Sequence, residues 1–274
     1  MRATTNGQQM TSNRSLLGLR IFDSHFHIID QRFPLVPNRG FVPDSFNCND
    51  YMSRTRNLNV VGGAVVSGSF QAFDQGYLLA TLGTLGPRFV GVTQLPESVS
   101  DDQLRSLNDA GVRALRFNLK RGGSEGIEKL EPLAKRVHEI AGWHVELYVD
   151  SEFLSGLYAT LVNLPAVTID HLGLSKVGFP VLLKLVEKGV HVKATGFGRV
   201  DFNVKEALRE IVSANPSSLV FGTDLPSTRA PRPFSDTDIL LVREAVGDSL
   251  ATRIFFDNAI TLYRPKEFVA DAQP

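Results

Sequence analysis

The chain has 274 residues, 29 Lys+Arg against 29 Asp+Glu, six His, one Cys and a hydrophobic share of 43%. This is the composition of a globular protein long enough to bury a large core. The absence of a basic excess argues against nucleic-acid or membrane-surface partners. The lone Cys48 excludes an intrachain disulfide and any multi-cysteine metal or iron–sulfur site.

Segments 1–18 and 19–274 read differently. Met1 to Ser15 is polar and lacks the apolar stretch of a secretory signal, so residues 1–18 are expected to form a flexible tail and the cytoplasm is the expected compartment. No run reaches the roughly 18 apolar residues of a membrane span. From Leu19 onward, short apolar runs alternate with helix-like segments. The predicted strands are Leu19–His25, Asn59–Val66, Arg88–Thr93, Val112–Phe117, His144–Val149, Ala166–Asp170, Val190–Thr195 and Leu219–Gly222. Consecutive β-branched residues in several of them suit strands buried on both faces. Between them, Ser100-Asp101-Asp102 opens a helix ending near Gly111, and Ser151-Glu152 opens another. Ile127–Ile140 places Ile127, Leu130, Leu133, Ala134 and Val137 on one face.

Eight strand–helix units in about 250 residues predict a single α/β domain, a (β/α)8 TIM barrel over residues 19–274. A doubly wound open sheet is the alternative, weakened because no glycine-rich phosphate loop follows any strand. Nothing in the composition sets an oligomeric state.

Barrel active sites form at the C-terminal ends of the strands, and this selects the candidate residues. His25-Phe26-His27 ends the first strand, and residues at i and i+2 share a face, so both imidazoles enter the mouth while Phe26 faces the helices. Two surface histidines in a loop would be the ordinary reading of this motif alone. However, the sixth strand ends in Ile169-Asp170-His171, and the eighth in Gly222-Thr223-Asp224-Leu225-Pro226. Barrel closure makes the first and eighth strands neighbours, so Asp224 is expected beside His25 and His27, with His171 entering from two strands away. A helix cap or turn is the alternative role for Asp224.

Basic residues cluster at the same ends. Arg113 through Arg121 holds four basic residues and no acid, the seventh strand and its loop add Lys193 and Arg199, and Arg229 and Arg232 follow the eighth. Arg116 is expected to point inward with Ala114, where burial demands an anionic partner. Arg113 and Arg232 read as a solvated, salt-bridged rim. Trp143 reads as core, and His138 and His191 as residues away from the site.

Asp23-x-His25-x-His27, Asp170-His171-x-Gly173 and Gly222-Thr223-Asp224-x-Pro226, in this order, resemble the amidohydrolase superfamily. The match is closest to its amidohydrolase 2 branch and, within it, to the 2-pyrone-4,6-dicarboxylate lactonase group. The resemblance runs from about Arg20 to Arg264. Metal-dependent relatives carry a metal-ligand Lys or His near the fourth strand and a His on the fifth. Here the fifth-strand mouth position is Tyr148, similar to the dicarboxylate lactonase, which works without metal. Leu225 and Ser227 depart from the aromatic and histidine frequent in that group.

The resemblance implies a hydrolase that opens the lactone ring of a carboxylated substrate. Asp224 is the implied general base, and His25, His27 and His171 polarise the carbonyl. Arg116, Arg121, Arg199 and Lys193 bind the small anionic lactone, with Tyr148 orienting it. No cofactor is expected. The alternative is one Zn²⁺ held by His25, His27, His171 and Asp224 in a sugar-acid lactonase or nonoxidative decarboxylase. A noncatalytic small-acid binding barrel is a third possibility, against which the carboxylate of Asp224 argues.

Overall fold

The computed structural model describes residues 18–270, so all of the expected N-terminal tail except Gly18 lies outside the described residues. Eight parallel strands pair in chain order: β1 Ile21–Phe26, β2 Val60–Val66, β3 Phe89–Thr93, β4 Val112–Phe117, β5 His144–Leu147, β6 Val167–Ile169, β7 His191–Ala194 and β8 Leu219–Phe221. Each falls within two residues or so of a predicted apolar run. Beyond the ends of β8 and β1 the chain closes on itself, the Asp224 amide donating to the His25 carbonyl and the His27 amide to the Leu225 carbonyl, both at 2.7 Å. This is the (β/α)8 barrel the alternation predicts.

Gly222 permits that closure. A Cβ there would come within 2.7 Å of the His25 amide nitrogen and 2.8 Å of the His25 Cβ. Asp23 adds a side-chain clasp, accepting from the Thr223 amide (2.8 Å), the Thr223 hydroxyl (2.7 Å) and the Tyr51 hydroxyl (3.0 Å).

Eight helices surround the strands: α1 Cys48–Thr55, α2 Gly76–Leu85, α3 Asp101–Ala110, α4 Leu130–Ala141, α5 Leu154–Asn163, α6 Phe179–Glu187, α7 Val204–Ala214 and α8 Thr237–Val246. Helix α3 follows its sequence signals closely. Ser100 accepts from the Gln103 amide, Gln103 bonds back to the Ser100 amide, and the helix ends at left-handed Gly111. In α4, Leu130, Leu133, Ala134 and Val137 are buried, but Ile127 is 41% exposed, against expectation. Ile127 belongs to a preceding 3-10 turn, Ile127–Lys129, whose tighter winding takes it off the helical stripe. The start at Ser151-Glu152 is likewise a 3-10 turn, capped by Asp150, before α5 begins.

The barrel interior divides into two halves. Phe22, Ala64, Val66, Val90, Val92, Ala114 and Val220 form an apolar cluster from β8 round to β4. Strands β5 to β7 instead bury His144, Glu146, Thr168, Asp170 and Lys193. The C-terminal segment runs through α9 Asp248–Thr252, a π turn, α10 Asn258–Tyr263 and α11 Lys266–Ala270. It places Tyr263 against both halves. The Tyr263 ring stacks on Phe22 and its hydroxyl donates to Glu146 Oε1 at 2.6 Å. Among the described residues no helix is long and apolar enough to cross a membrane.

Candidate active site

The C-terminal mouth brings His25, His27, His171 and Asp224 together from three separate parts of the chain. One atom organises the group. Asp224 Oδ1 lies 3.9 Å from His25 Nε2, 3.8 Å from His27 Nε2 and 4.0 Å from His171 Nε2. It is buried and, among the described residues, has no hydrogen-bond partner, and the same holds for His25 Nε2. The other carboxylate oxygen, Oδ2, lies 2.8 Å from both Nε and Nη2 of Arg199, and Nη2 also donates to the Thr228 carbonyl at 2.9 Å. Asp224 is thus oriented from one side with the opposite oxygen bare.

Backbone geometry sets these directions. His171 (φ 52°), Asp224 (φ 61°), Ser227 (φ 64°) and Arg229 (φ 57°) all adopt the left-handed region. Such residues cost roughly 1–3 kcal/mol each and concentrate at functional sites. Gly196 makes room for His171, since a Cβ there would lie 2.6 Å from the imidazole Nδ1.

Burial tunes the titration of the group. It is the largest cause in every case, and it keeps the imidazoles neutral: His25 and His171 are driven well below the usual histidine range, and His27 to about 3. Burial also raises the Asp224 carboxyl, against the lowering effect of Arg199 and Arg116. A carboxylate raised toward neutrality is a better base than a solvated one. The His27 Nδ1 lies 2.7 Å from the Val66 carbonyl, which can only accept, so its proton sits there and its Nε2 lone pair faces Asp224.

The basic residues sort into two groups. Arg116 points inward, but its anionic partner belongs to the protein. It donates to Asp170 Oδ2 at 2.8 Å and to the Ser67 carbonyl at 2.6 Å. Arg199 is paired with Asp224. Arg121 and Arg229 form no ion pair among the described residues. Arg229 donates to the neutral Asn38 Oδ1 and Ser69 Oγ, both at 3.2 Å, and stacks over Phe41 at 4.5 Å. The cleft between these groups is lined by His27, Arg116, Arg121, Tyr148, His171, Arg199, Asp224 and Arg229, with Ser69 and Asn118. Tyr148 meets the His171 ring edge-on at 5.0 Å. A larger cleft of about 560 Å³ between Tyr51 and Phe89 carries Arg56 as its one charged side chain, and so offers no comparable chemistry.

Lys193 does not reach the cleft, contrary to expectation. It points inward from β7 and is fully buried beneath the imidazoles, ion-paired with Glu146 and 3.6 Å from Asp170 Oδ1. As the penultimate residue of β7 it still lies inside the strand, one layer too deep. Glu146 is the residue that sequence reasoning missed. It shares the inward parity of His144 and Tyr148 on β5, which was the available signal. Arg113 also departs from the expected solvated rim. It is buried at the opposite end of β4, donating to the Asn108 and Val112 carbonyls at 2.7 Å. Arg232 does form the expected rim pair, with Asp238 at 2.9 Å.

The donor types admit a metal. His25, His171 and Asp224 draw one ligand atom each to within 4.8 Å of one another, and His25, Glu146 and Asp170 do the same one layer deeper. In the upper group the bare Asp224 oxygen and the buried nitrogens fit a divalent ion in chemistry and approximate spacing.

The fold is thus a (β/α)8 barrel whose C-terminal mouth holds a bare carboxylate oxygen facing three buried imidazoles. The chain belongs to the amidohydrolase family, whose model matches residues 22–264. It is 27% identical over 277 residues to a 2-pyrone-4,6-dicarboxylate hydrolase of Comamonas testosteroni, covering 89% of this chain and 90% of that protein. It is 24% identical over 273 residues to a 4-sulfomuconolactone hydrolase of Rhizobium radiobacter, covering 88% and 89%. The crystal structure of a Pseudomonas putida protein, a candidate 2-pyrone-4,6-dicarboxylic acid hydrolase, superposes with a TM-score of 0.74 at 28% identity over 90% of this chain and 98% of that one.

Proposed function

We propose that the protein hydrolyses the ring ester of a small lactone carrying two carboxylates, of the 2-pyrone-4,6-dicarboxylate type. The related hydrolases support lactone opening. The observation that carries the chemistry is the convergence of three Nε2 atoms on one unpartnered Asp224 oxygen. In this reading Asp224 takes a proton from water as the oxygen adds to the ring carbonyl. An imidazole N–H aimed at the ring carbonyl stabilises the tetrahedral oxyanion, a contribution typically worth about 10²–10³ in rate per donor, while His27, whose Nε2 carries a lone pair, accepts a hydrogen bond from the water. The ring C–O bond then breaks, and His171 relays the proton from Asp224 to the departing oxygen.

The charge argument concerns the substrate. Arg116 with Asp170, Arg199 with Asp224 and Lys193 with Glu146 cancel in pairs. The surplus positive charge of the cleft therefore rests on Arg121 and Arg229. An anionic substituent gains most there, where a charge-assisted bond is worth roughly 1.5–3 kcal/mol. Tyr148 would bound the ring between this end and the imidazoles.

A metal-assisted version is favoured by one observation, the donor spacing of His25, His171 and Asp224, with His27 at 3.8 Å from the same oxygen. A divalent ion bound there would supply Lewis-acid polarisation and a more acidic water. Arg199 would then orient the ligand oxygen of Asp224 from behind. Turnover of a panel of neutral, mono- and dicarboxylated lactones tests the proposal, and equal rates on neutral and dicarboxylated rings would reject the substrate class.

A further inference from the structure

The deeper donor cluster already holds a cation, the ammonium of Lys193. Nζ is ion-paired with Glu146 Oε2, lies 3.3 Å from His25 Nδ1 in hydrogen-bonding geometry and stands 3.6 Å from Asp170 Oδ1. These are the three residues whose ligand atoms draw together beneath the mouth. All of them are fully buried. Glu146 is in turn held by Tyr263 at 2.6 Å and His144 at 3.1 Å, so the ammonium sits in a fixed cradle.

We propose that Lys193 is a positioning residue that holds His25 in the Nε2–H form, so that this ring meets the substrate as a hydrogen-bond donor. An ammonium has three protons and no lone pair. Its neighbour at 3.3 Å, His25 Nδ1, must therefore accept, which leaves the ring proton on Nε2. A proton on Nδ1 would set two donors against each other in a dry interior. The alternative acceptor for such a proton, Asp170 Oδ1 at 3.4 Å, makes no hydrogen bond. The opposite edge of the ring, Nε2, faces the bare oxygen of Asp224 at 3.9 Å, so the proton left there points into the site.

His25 and His27 therefore enter the site in opposite tautomers. His27 is anchored through Nδ1–H to the Val66 carbonyl and offers a lone pair; His25 offers a proton. The pair suits an attacking water and a carbonyl oxygen held side by side, one needing an acceptor and the other a donor. For a divalent ion to use His25 Nε2, that nitrogen would have to lose its proton and Lys193 would have to turn away from Nδ1. The donor's role toward a carbonyl rests on the hydrolase reading above; the tautomer does not.

The test uses the full-length protein labelled with ¹⁵N-histidine, with long-range ¹H–¹⁵N correlation at neutral pH and His25 assigned by the signals missing in His25→Gln. A protonated Nε2 and an unprotonated Nδ1 at His25, with the reverse at His27, are expected. A His25 proton on Nδ1, or an even mixture, overturns the proposal with no substrate involved. The double variant Lys193→Met/Glu146→Gln removes the ammonium without stranding the carboxylate. It should move the His25 proton to Nδ1 and bind Zn²⁺ alone more tightly than the wild type by calorimetry. On the best lactone it should lower kcat about 10²-fold with KM within a few-fold. Unchanged tautomer and zinc affinity in a folded double variant would refute the role of Lys193.

Discussion

Arg199 grips one oxygen of Asp224 at 2.8 Å and leaves the other facing three imidazoles without a hydrogen bond. In the proposed mechanism Asp224 is a base held in aim by a permanent cation. Asp224→Asn keeps the size of the side chain and should keep the fold, while removing the group that takes the proton. The expected loss in kcat is about 10²–10⁴-fold, with ligand binding largely retained. Steady-state kinetics beside a thermal melt check both halves, and near-wild-type kcat would rule out Asp224 as the base.

Arg229 has no carboxylate partner among the described residues and is held over Phe41 by neutral contacts. Arg229→Met should lower kcat/KM for dicarboxylated lactones about ten- to a hundred-fold, where 1.4 kcal/mol is tenfold. For neutral lactones the change should be under about three-fold. Matched substrate pairs give the comparison directly.

Arg116 behaves differently because its charge is already matched by Asp170. Arg116→Met strands a fully buried carboxylate. Breaking a buried pair in this way costs about 3–5 kcal/mol. Urea denaturation should therefore show a large loss of stability as well as any loss of activity. Arg116→Met with Asp170→Asn should recover much of the stability. If the single variant is as stable as wild type, the pair is not the buried unit described here.

Turnover is expected to survive exhaustive chelation. His25 is expected to present a proton to the site, and Tyr148 occupies the mouth position of β5. The check is activity and metal content measured on the same chelated sample. Abolition by chelation and recovery with one equivalent of zinc would establish the metal-assisted version instead.

Stability should rise with pH through the mildly acidic range. Burial, with a smaller push from His144, lowers the His191 pKa to about 4, against about 6.5 in an unfolded chain. Between these values the unfolded chain binds the proton and the folded protein does not, so acid favours unfolding. The contribution is present above pH 6.5 and is lost as pH falls toward 4. At 1.36 kcal/mol per unit it amounts to about 3 kcal/mol at most. His191→Leu should make the stability curve between pH 4.5 and 6.5 shallower, as measured by urea midpoints across that range.

Much of this architecture is legible in one dimension. Apolar runs of strand length, separated by capped helices such as Ser100 to Gly111, dictate the eight units through local backbone and burial preferences. The two-residue period of a strand places His25 and His27 on one face, and it puts Glu146 on the same inward face as Tyr148. Chain order then makes the first and last strands neighbours, which is why Asp224 could be expected beside His25. Ile127 escaped because a 3-10 turn and an α-helix differ only in winding, and that choice depends on what lies beneath them.

Which charges cancel is decided elsewhere. Residue order alone carries the strand–helix alternation, the parity of the mouth residues and an abundance of arginine at the strand ends. It carried no statement that Arg116 would meet Asp170, 54 residues away, or that Lys193 would meet Glu146, 47 residues away. Those pairings exist because barrel closure brings β4 to β7 within reach of one another inside a dry interior, where a charge without a partner is too costly to keep. Only that enclosure separates the arginines already satisfied by the protein from Arg121 and Arg229. It also turns Lys193 from a surface-like binding residue into one that acts through the far edge of His25.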